Sequence, residues 1–461
     1  MPHATNTQLA NAFDDFVRDA ISQLDGELRD LSLAIHAQPE LAWEEHHAHD
    51  RLTAYMERQP GFVVERKAYG LATAWSAIFT SSAASNVEIV PTVGFNSEMD
   101  ALKGLGHACG HNLIAVAGCA SAIATARALE HFDLSGRVVL LGTPAEEAGG
   151  GKVVMIERGA YDGLDACLMV HPGAGGAGRH GAGVMTSLCI ASLTATFSGA
   201  PAHAGAAPEK GVNALDAAVG AYSAINALRQ QLPSDVRVHG IITGGEEMSV
   251  NVIPSRAVLK YGVRAPSAAA LSSLIPRVLN CFAGAALTAG CTHVVERHFV
   301  YLDVRPSSSL SRLFKSAALR VWDDGTAAND EEAYEVTEDV ALGGSTDFGN
   351  VSYRCPALHP MFLLPGAPTE EHPHSSTYAA AAALPSSHEA TLRVSTALAI
   401  AALEVVRSPE VRDEMQREWK KDMTAIGAAD ALRRIQEAFP EPASKAERGV
   451  DGPCGCSHSA A

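Results

Sequence analysis

The sequence is short of positive charge, sparing with cysteine, and without a long apolar run. Lys and Arg number 35 against 52 Asp and Glu, a formal charge of −17. Nucleic acids and anionic membranes reward clustered Lys and Arg, so neither is expected as a partner. The longest apolar stretch, Leu113–Ala126, falls short of the ~20 residues a membrane-spanning helix needs and reads as a buried helix. The opening MPHATNTQLANAFDDF has neither a basic cap nor an apolar centre. No secretory leader is expected, and the cytoplasm is the expected compartment. Nine thinly spread cysteines, an odd number, argue against a disulfide framework and for a reducing interior. Cys119, Cys167, Cys189, Cys281 and Cys291 read as small buried hydrophobes, and Cys454 and Cys456 close a Gly/Pro/Ser tail that reads as loose. There is no internal repeat.

What is present suffices for a large core: 461 residues, 47% of them hydrophobic, enough for two or three domains. Helical spacing runs from about Leu9 to Arg58. Apolar strands at 87–95, 138–141 and 166–170 then alternate with helices at 113–130 and 152–158, which implies a mostly parallel sheet covered on both faces. From about 186 to 301 the order becomes β-α-β-β-α-β, the ferredoxin-like split unit. It has strands at 190–197, 236–242, 257–264 and 292–300, and helices carrying Leu215, Ala218, Val219, Tyr222 and Ile225, then Leu271, Leu274, Ile275 and Val278 behind an N-cap at Ser267. The fold class is thus α/β, with residues 9–185 and 302–435 forming one domain, 186–301 inserted in it, and 436–461 a flexible tail.

Four clusters carry metal-ligand chemistry. Cys109 and His111 lie two apart in a Gly-containing loop, where thiolate and imidazole suit a zinc-like ion better than the alternative, an ordinary turn. Glu146–Glu147 follow a buried strand directly, at the carboxyl edge where α/β enzymes build sites; such a pair can divide into a metal ligand and a general base. His171 ends another apolar strand, and alone it reads as a satisfied structural residue. His372 and His374 share a loop ahead of the last long helix. Jointly the four clusters favour one shared metal site.

The run Met99-Asp-Ala-Leu-Lys-Gly-Leu-Gly-His-Ala-Cys-Gly-His-Asn112 resembles the signature of the peptidase M20 metallohydrolases, in the branch of the auxin-conjugate amidohydrolases and Xaa-Arg dipeptidase-like proteins. Gly142–Gly150, Ala202-His203-Ala-Gly, Asn251-Val-Ile-Pro254 and Gly344–Asn350 are similar in the same order, and His36–Leu41 resembles the family's opening helix. The resemblance, over about residues 9–407, implies a two-metal hydrolase domain with a ferredoxin-like lid that dimerises. It further implies Cys109, His111, Glu147, His171 and His374 as ligands of two divalent metals (zinc, with manganese or cobalt as alternatives), Glu146 as general base and His203 as the oxyanion donor, across a homodimer. The last ligand is implied at His374 rather than His372 by its spacing to Tyr378. Asn112 and Lys103 depart from many relatives, which have Asp and Pro there.

A substrate carboxylate needs a donor pocket, for which Arg264, Asn251 and the Gly344-Ser345-Thr346 loop are the candidates, Arg264 reading equally as an exposed sheet charge. The expected activity is amide hydrolysis of dipeptides or N-acyl amino acids. The alternatives are detoxification of amino-acid conjugates and a catalytically inactive relative that works by binding or assembly.

Overall fold

The computed structural model describes residues 6–244, 248–322, 335–369 and 371–439; the Cys454/Cys456 tail lies outside them. The chain divides into two compact units, Met1–Ser187 with Tyr301–Met423, and Leu188–Val300 with the chain from Thr424.

The first unit opens with α1 (Asn6–Ser22), α2 (Asp25–Ala37) and α3 (His46–Met56). The continuous helical spacing of the sequence is interrupted after Ala37, because Pro39 disfavours the helical conformation at Gln38, which sits at φ −128°, ψ 74°. Then come β1 (Phe62–Arg66), β2 (Trp75–Thr80), β3 (Thr92–Glu98), α4 (His111–His131), β4 (Arg137–Thr143), α5 (Gly151–Glu157), β5 (Ala166–Leu168), β6 (His171–Gly175) and β7 (Gly181–Thr186). β3 starts later than the apolar pattern predicts, after Pro91. His171 begins β6 in a different sheet rather than ending β5.

The second unit holds β8 (Cys189–Ser198), α6 (Ala214–Arg229), β9 (Arg237–Thr243), β10 (Arg256–Ala265), α7 (Ala268–Ala289) and β11 (Thr292–Tyr301, its last residue in the first unit). The sheet order β11-β8-β10-β9, with β10 antiparallel to β8 and β9, is that of the ferredoxin-like unit. Ser267 caps α7 by accepting the Ala270 N–H. The buried stripe of α6 is rotated from the expected one, with Ala214, Ala217, Ala218, Ala221 and Ile225 inside and Val219 and Tyr222 exposed.

The first unit resumes with α8 (Ser308–Trp322), β12 (Glu335–Ala341), α9 (Phe348–Ser352), β13 (Ala357–Leu358), β14 (Pro360–Leu364), α10 (Ser376–Ala381), α11 (Pro385–Arg407) and α12 (Pro409–Ala425). The last helix, α13 (Ala428–Ala438), packs on α7 of the second unit. The returning segment, read from sequence as 302–435, is therefore divided at Met423, because Ala428, Ala431 and Ile435 bury their stripe there.

The main sheet runs β1-β2-β4-β3-β5-β13; β4, β3, β5 and β13 are mutually parallel, and β1 and β2 form an antiparallel edge. A second sheet, β12-β7-β14-β6, was not foreseen from the sequence. Helix α4, long and apolar enough to cross a membrane, is buried between β3 and α11. At Gly118 a Cβ would lie 2.5 Å from the Asn96 carbonyl oxygen. Gly118→Ala is expected to cost about 1–3 kcal/mol, read as a lower urea midpoint at unchanged slope; an unchanged midpoint would show that α4 can shift off the sheet.

Candidate metal centre and active site

The parallel strands β3, β4 and β5 end side by side, and the loops beyond them build the site, as in open α/β sheets generally. β3 delivers Glu98 and then Asp100. Gly110, at φ 76°, turns the chain into α4, whose first residue is His111; a Cβ on Gly110 would lie 2.5 Å from the Pro172 ring. Beyond β4, Ala145 is held at φ 57°, a left-handed conformation that costs a non-glycine residue about 1–3 kcal/mol. Buried Glu45 stabilises it: Oε1 accepts the Ala145 N–H at 2.8 Å and the Trp43 N–H at 2.9 Å, while the Thr73 hydroxyl donates to Oε2 at 2.7 Å. That turn presents Glu146 and Glu147. His374, also left-handed at φ 78°, donates its N–H to the Ala108 carbonyl at 2.8 Å. Four residues on, the Tyr378 hydroxyl donates to the Gly173 carbonyl at 2.6 Å, tying this loop to β6.

These loops bring Cys109, His111, Glu146, Glu147, His171 and His374 together. Their ligand atoms form three overlapping groups, Cys109–His111–His171, Cys109–Glu147–His374 and His111–Glu146–Glu147, each with all atoms within 4.8 Å. Cys109 Sγ is 3.5 Å from His171 Nε2, and Glu147 Oε1 is 3.8 Å from His111 Nε2 and 3.7 Å from His374 Nε2. Donors on a tetrahedral cation with ~2.1 Å bonds sit ~3.4 Å apart, so the spacing fits. Two of the imidazoles are oriented from behind: His111 Nδ1 lies 3.1 Å from Asp100 Oδ1, and His171 Nδ1 is 2.7 Å from the Pro172 carbonyl. Each arrangement leaves Nε2 facing the cluster. His111 Nε2 and Glu147 Oε1 are buried with no hydrogen-bond partner, as ligand atoms awaiting a cation would be.

The electrostatics point the same way. Glu98, Asp100, Glu146 and Asp347 are buried and Glu147 nearly so, with Lys152 the one buried ammonium among them. Burial, then the neighbouring Glu98 and Glu147, pushes the Glu146 carboxyl well above the usual range. Burial works against charge on His111, yet the Asp100 hydrogen bond and the Cys109 sulfur outweigh it and raise its pKa. Burial, then His111, lowers His171 to about 4. The Glu146 carboxyl and the His111 imidazole are thus raised side by side among clustered carboxylates, an excess of negative charge that divalent metal would offset.

The sequence reading passed over several members of this region. Glu45 sets the Glu146 turn, and Lys152 bridges Glu98 and Asp347. His359 is buried beside His171, ring centroids 5.7 Å apart, and stacks on Phe348. A lysine placed among small and apolar residues at the start of α5 was the one available signal. Asn112 points its amide at Ser32 Oγ (3.0 Å) and the Ala382 carbonyl (3.2 Å), tying α4 to α2 and α10. Lys103 and His372 are exposed, and His372 joins none of the ligand groups.

The remaining predicted residues are divided between the two units. In the second unit His203 is exposed, its Nδ1 accepting the Gly205 and Ala206 N–H groups at 3.2 and 3.1 Å, and Ala204 donates to the Asn251 carbonyl at 2.9 Å. Arg264 is not beside them. It sits near the far end of β10 with Nε 3.4 Å from His239 Nε2, and the eight residues from Arg256 span ~26 Å at ~3.3 Å each. The expected grouping of Arg264 with Asn251 thus does not form within the unit, because an extended strand separates them. Gly344, Ser345 and Thr346 lie in the first unit before α9, where Thr346 Oγ1 accepts the Phe348 N–H at 3.2 Å.

Residues 189–287 match the family described as a peptidase dimerisation domain. The Xaa-Arg dipeptidases of Mus musculus and Homo sapiens are 39% and 38% identical to the chain over 399 and 412 residues. The alignments cover 85% and 87% of this chain and 88% and 91% of theirs. The chain belongs to the M20 peptidase family. A Bacillus subtilis structure described as a dinuclear metal binding peptidase of that family shares the fold, with a TM-score of 0.57 at 20% identity over 84% of this chain and 99% of that one. This M20 chain is a hydrolase of amide bonds, α/β in class with a separate dimerisation domain, and its site is suited to divalent metal.

Proposed function

We propose that this M20 hydrolase is a cytoplasmic homodimer that cleaves dipeptides and related N-acyl amino acids. Two divalent cations, zinc foremost, would be held by Cys109, His111, Glu147, His171 and His374. The observation that carries this reading is the convergence of those five side chains at 3.5–3.8 Å donor spacings beside a buried Glu146. The Xaa-Arg dipeptidases suggest the substrate class. Bound cations would polarise the scissile carbonyl and acidify the attacking water.

The chain's own residues do the rest. Burial raises the Glu146 carboxyl well above the usual range, so nearby divalent charge is what would favour its carboxylate form. Glu146 takes the water proton and returns it to the leaving amine. Asp100 and the Pro172 carbonyl hold the imidazoles of His111 and His171 in place. His203 would donate to the oxyanion, and Asn251 and the Gly344–Thr346 loop are each candidate donors to the substrate carboxylate. The edge strand β9, with Ile241 60% and Ile242 39% exposed, supports association of two copies through the second unit.

Metal analysis after chelation and reloading tests the ligand set. Cys109→Ser should lower the bound metal sharply, whereas Cys119→Ser, inside α4, should not. His374→Ala should lose metal and His372→Ala should not. Equal metal content across all four variants would overturn the assignment. A screen of Xaa-Arg dipeptides against N-acyl amino acids tests the substrate class; failure to turn over either would reject it.

A further inference from the structure

Glu98 closes β3 as a fully enclosed carboxylate. Its Oε1 lies 2.5 Å from Nζ of Lys152, which is itself buried, and that ammonium is 2.6 Å from Asp347 Oδ1. Asp347 Oδ2 also accepts the Lys152 backbone N–H at 2.9 Å. The lysine is thus fixed at both ends and already neutralised by Asp347. Glu98 is one negative charge more than this trio needs.

The second oxygen of Glu98 faces the other way. Oε2 is 3.6 Å from His111 Nε2, and neither atom has a hydrogen-bond partner, while His111 Nδ1 is occupied by Asp100. The separation is too long for a direct hydrogen bond and falls among the 3.5–3.8 Å donor spacings of the five ligands above. Two ligand atoms turned toward each other in a dry interior call for a cation between them.

We propose that Glu98, through Oε2, is a further donor to the cation bound at His111, and that Lys152 is the positioning residue that turns it there. This rests on the metal reading above. It gives the centre a carboxylate from β3, a rigid central strand, in addition to ligands carried on loops. The competing account makes Glu98 only the counter-ion of Lys152, and the two differ in what removal of its charge does to cation affinity.

The test uses the full chain, stripped with chelator and reloaded with cobalt(II). Cobalt affinity is measured by chelator competition, and coordination by visible absorption. Glu98→Gln is expected to weaken one of the two cobalt ions about 10–100-fold and to change the absorption bands. Asp347→Asn, which touches Lys152 and not His111, leaves Glu98 as the lysine's counter-ion and should weaken cobalt far less than Glu98→Gln, with the spectrum as in the wild type. The triple variant Glu98→Gln/Lys152→Met/Asp347→Asn removes all three buried charges of the trio, so that none is left uncompensated. It should show the same loss of cobalt with an unchanged circular dichroism spectrum. Wild-type affinity and spectrum in both Glu98 variants would overturn the assignment, as would equal weakening in Asp347→Asn, which would indicate bulk charge rather than ligation. A wild-type chain that binds no cobalt would overturn the metal reading itself, and this inference with it.

Discussion

Glu146→Gln is expected to lower kcat about 10²–10⁴-fold, the range a positioned general base contributes, while the bound metal stays near wild-type content. The amide keeps the size and shape of the carboxylate, so the turn held by Glu45 and the packing around the site persist. Only the ability to accept a proton is lost. Glu147 remains to bind, with Oε1 3.7–3.8 Å from the His374 and His111 nitrogens. The split between turnover and metal content is the informative readout. A variant with turnover within about tenfold of wild type would remove Glu146 as the base. A variant that had lost its metal would make Glu146 chiefly a ligand.

The second large effect is expected at His203. It lies in the second unit, whereas Cys109, His111, Glu146, Glu147, His171 and His374 all belong to the first. His203→Ala should lower kcat about 10²–10³-fold, the usual cost of losing one oxyanion donor. A locally structural role is the competing account, since its Nδ1 accepts two backbone N–H groups. Complementation separates the two. Inactive His203→Ala and Glu146→Gln chains, mixed after reversible dissociation, form heterodimers in which one site has both residues intact if His203 is supplied by the partner. Random pairing should then restore activity to about a quarter of wild type. No recovery, with heterodimers demonstrated, would place His203 in the same chain's site or outside the chemistry.

Local pattern carried most of the element assignment. The alternation in β10, with Leu259, Tyr261 and Val263 buried and Lys260, Gly262 and Arg264 less so, is visible in the sequence because one face of that strand meets α6 and α7. The candidate ligand types were equally legible, since Cys-x-His in a Gly-containing loop and paired Glu after a strand are local signals. The second sheet left no such trace. β6 and β7 are short and rich in glycine, and they pair with β12 and β14 from far along the chain.

Sequence alone determined the α/β class, the inserted β-α-β-β-α-β unit and the chemical identities of the candidate ligands, because these rest on spacing within a few residues. Only the tertiary structure decided what those residues face. It put Lys152 between Glu98 and Asp347, which sit 54 and 195 positions away in the chain. It assigned Glu45 to the backbone at Ala145, turned Asn112 toward Ser32 rather than the ligands, and set Arg264 a strand's length from Asn251. Buried charge is where that information resides. A carboxylate in a dry interior must find a partner, and which one it finds depends on distances that the linear order of the chain does not contain.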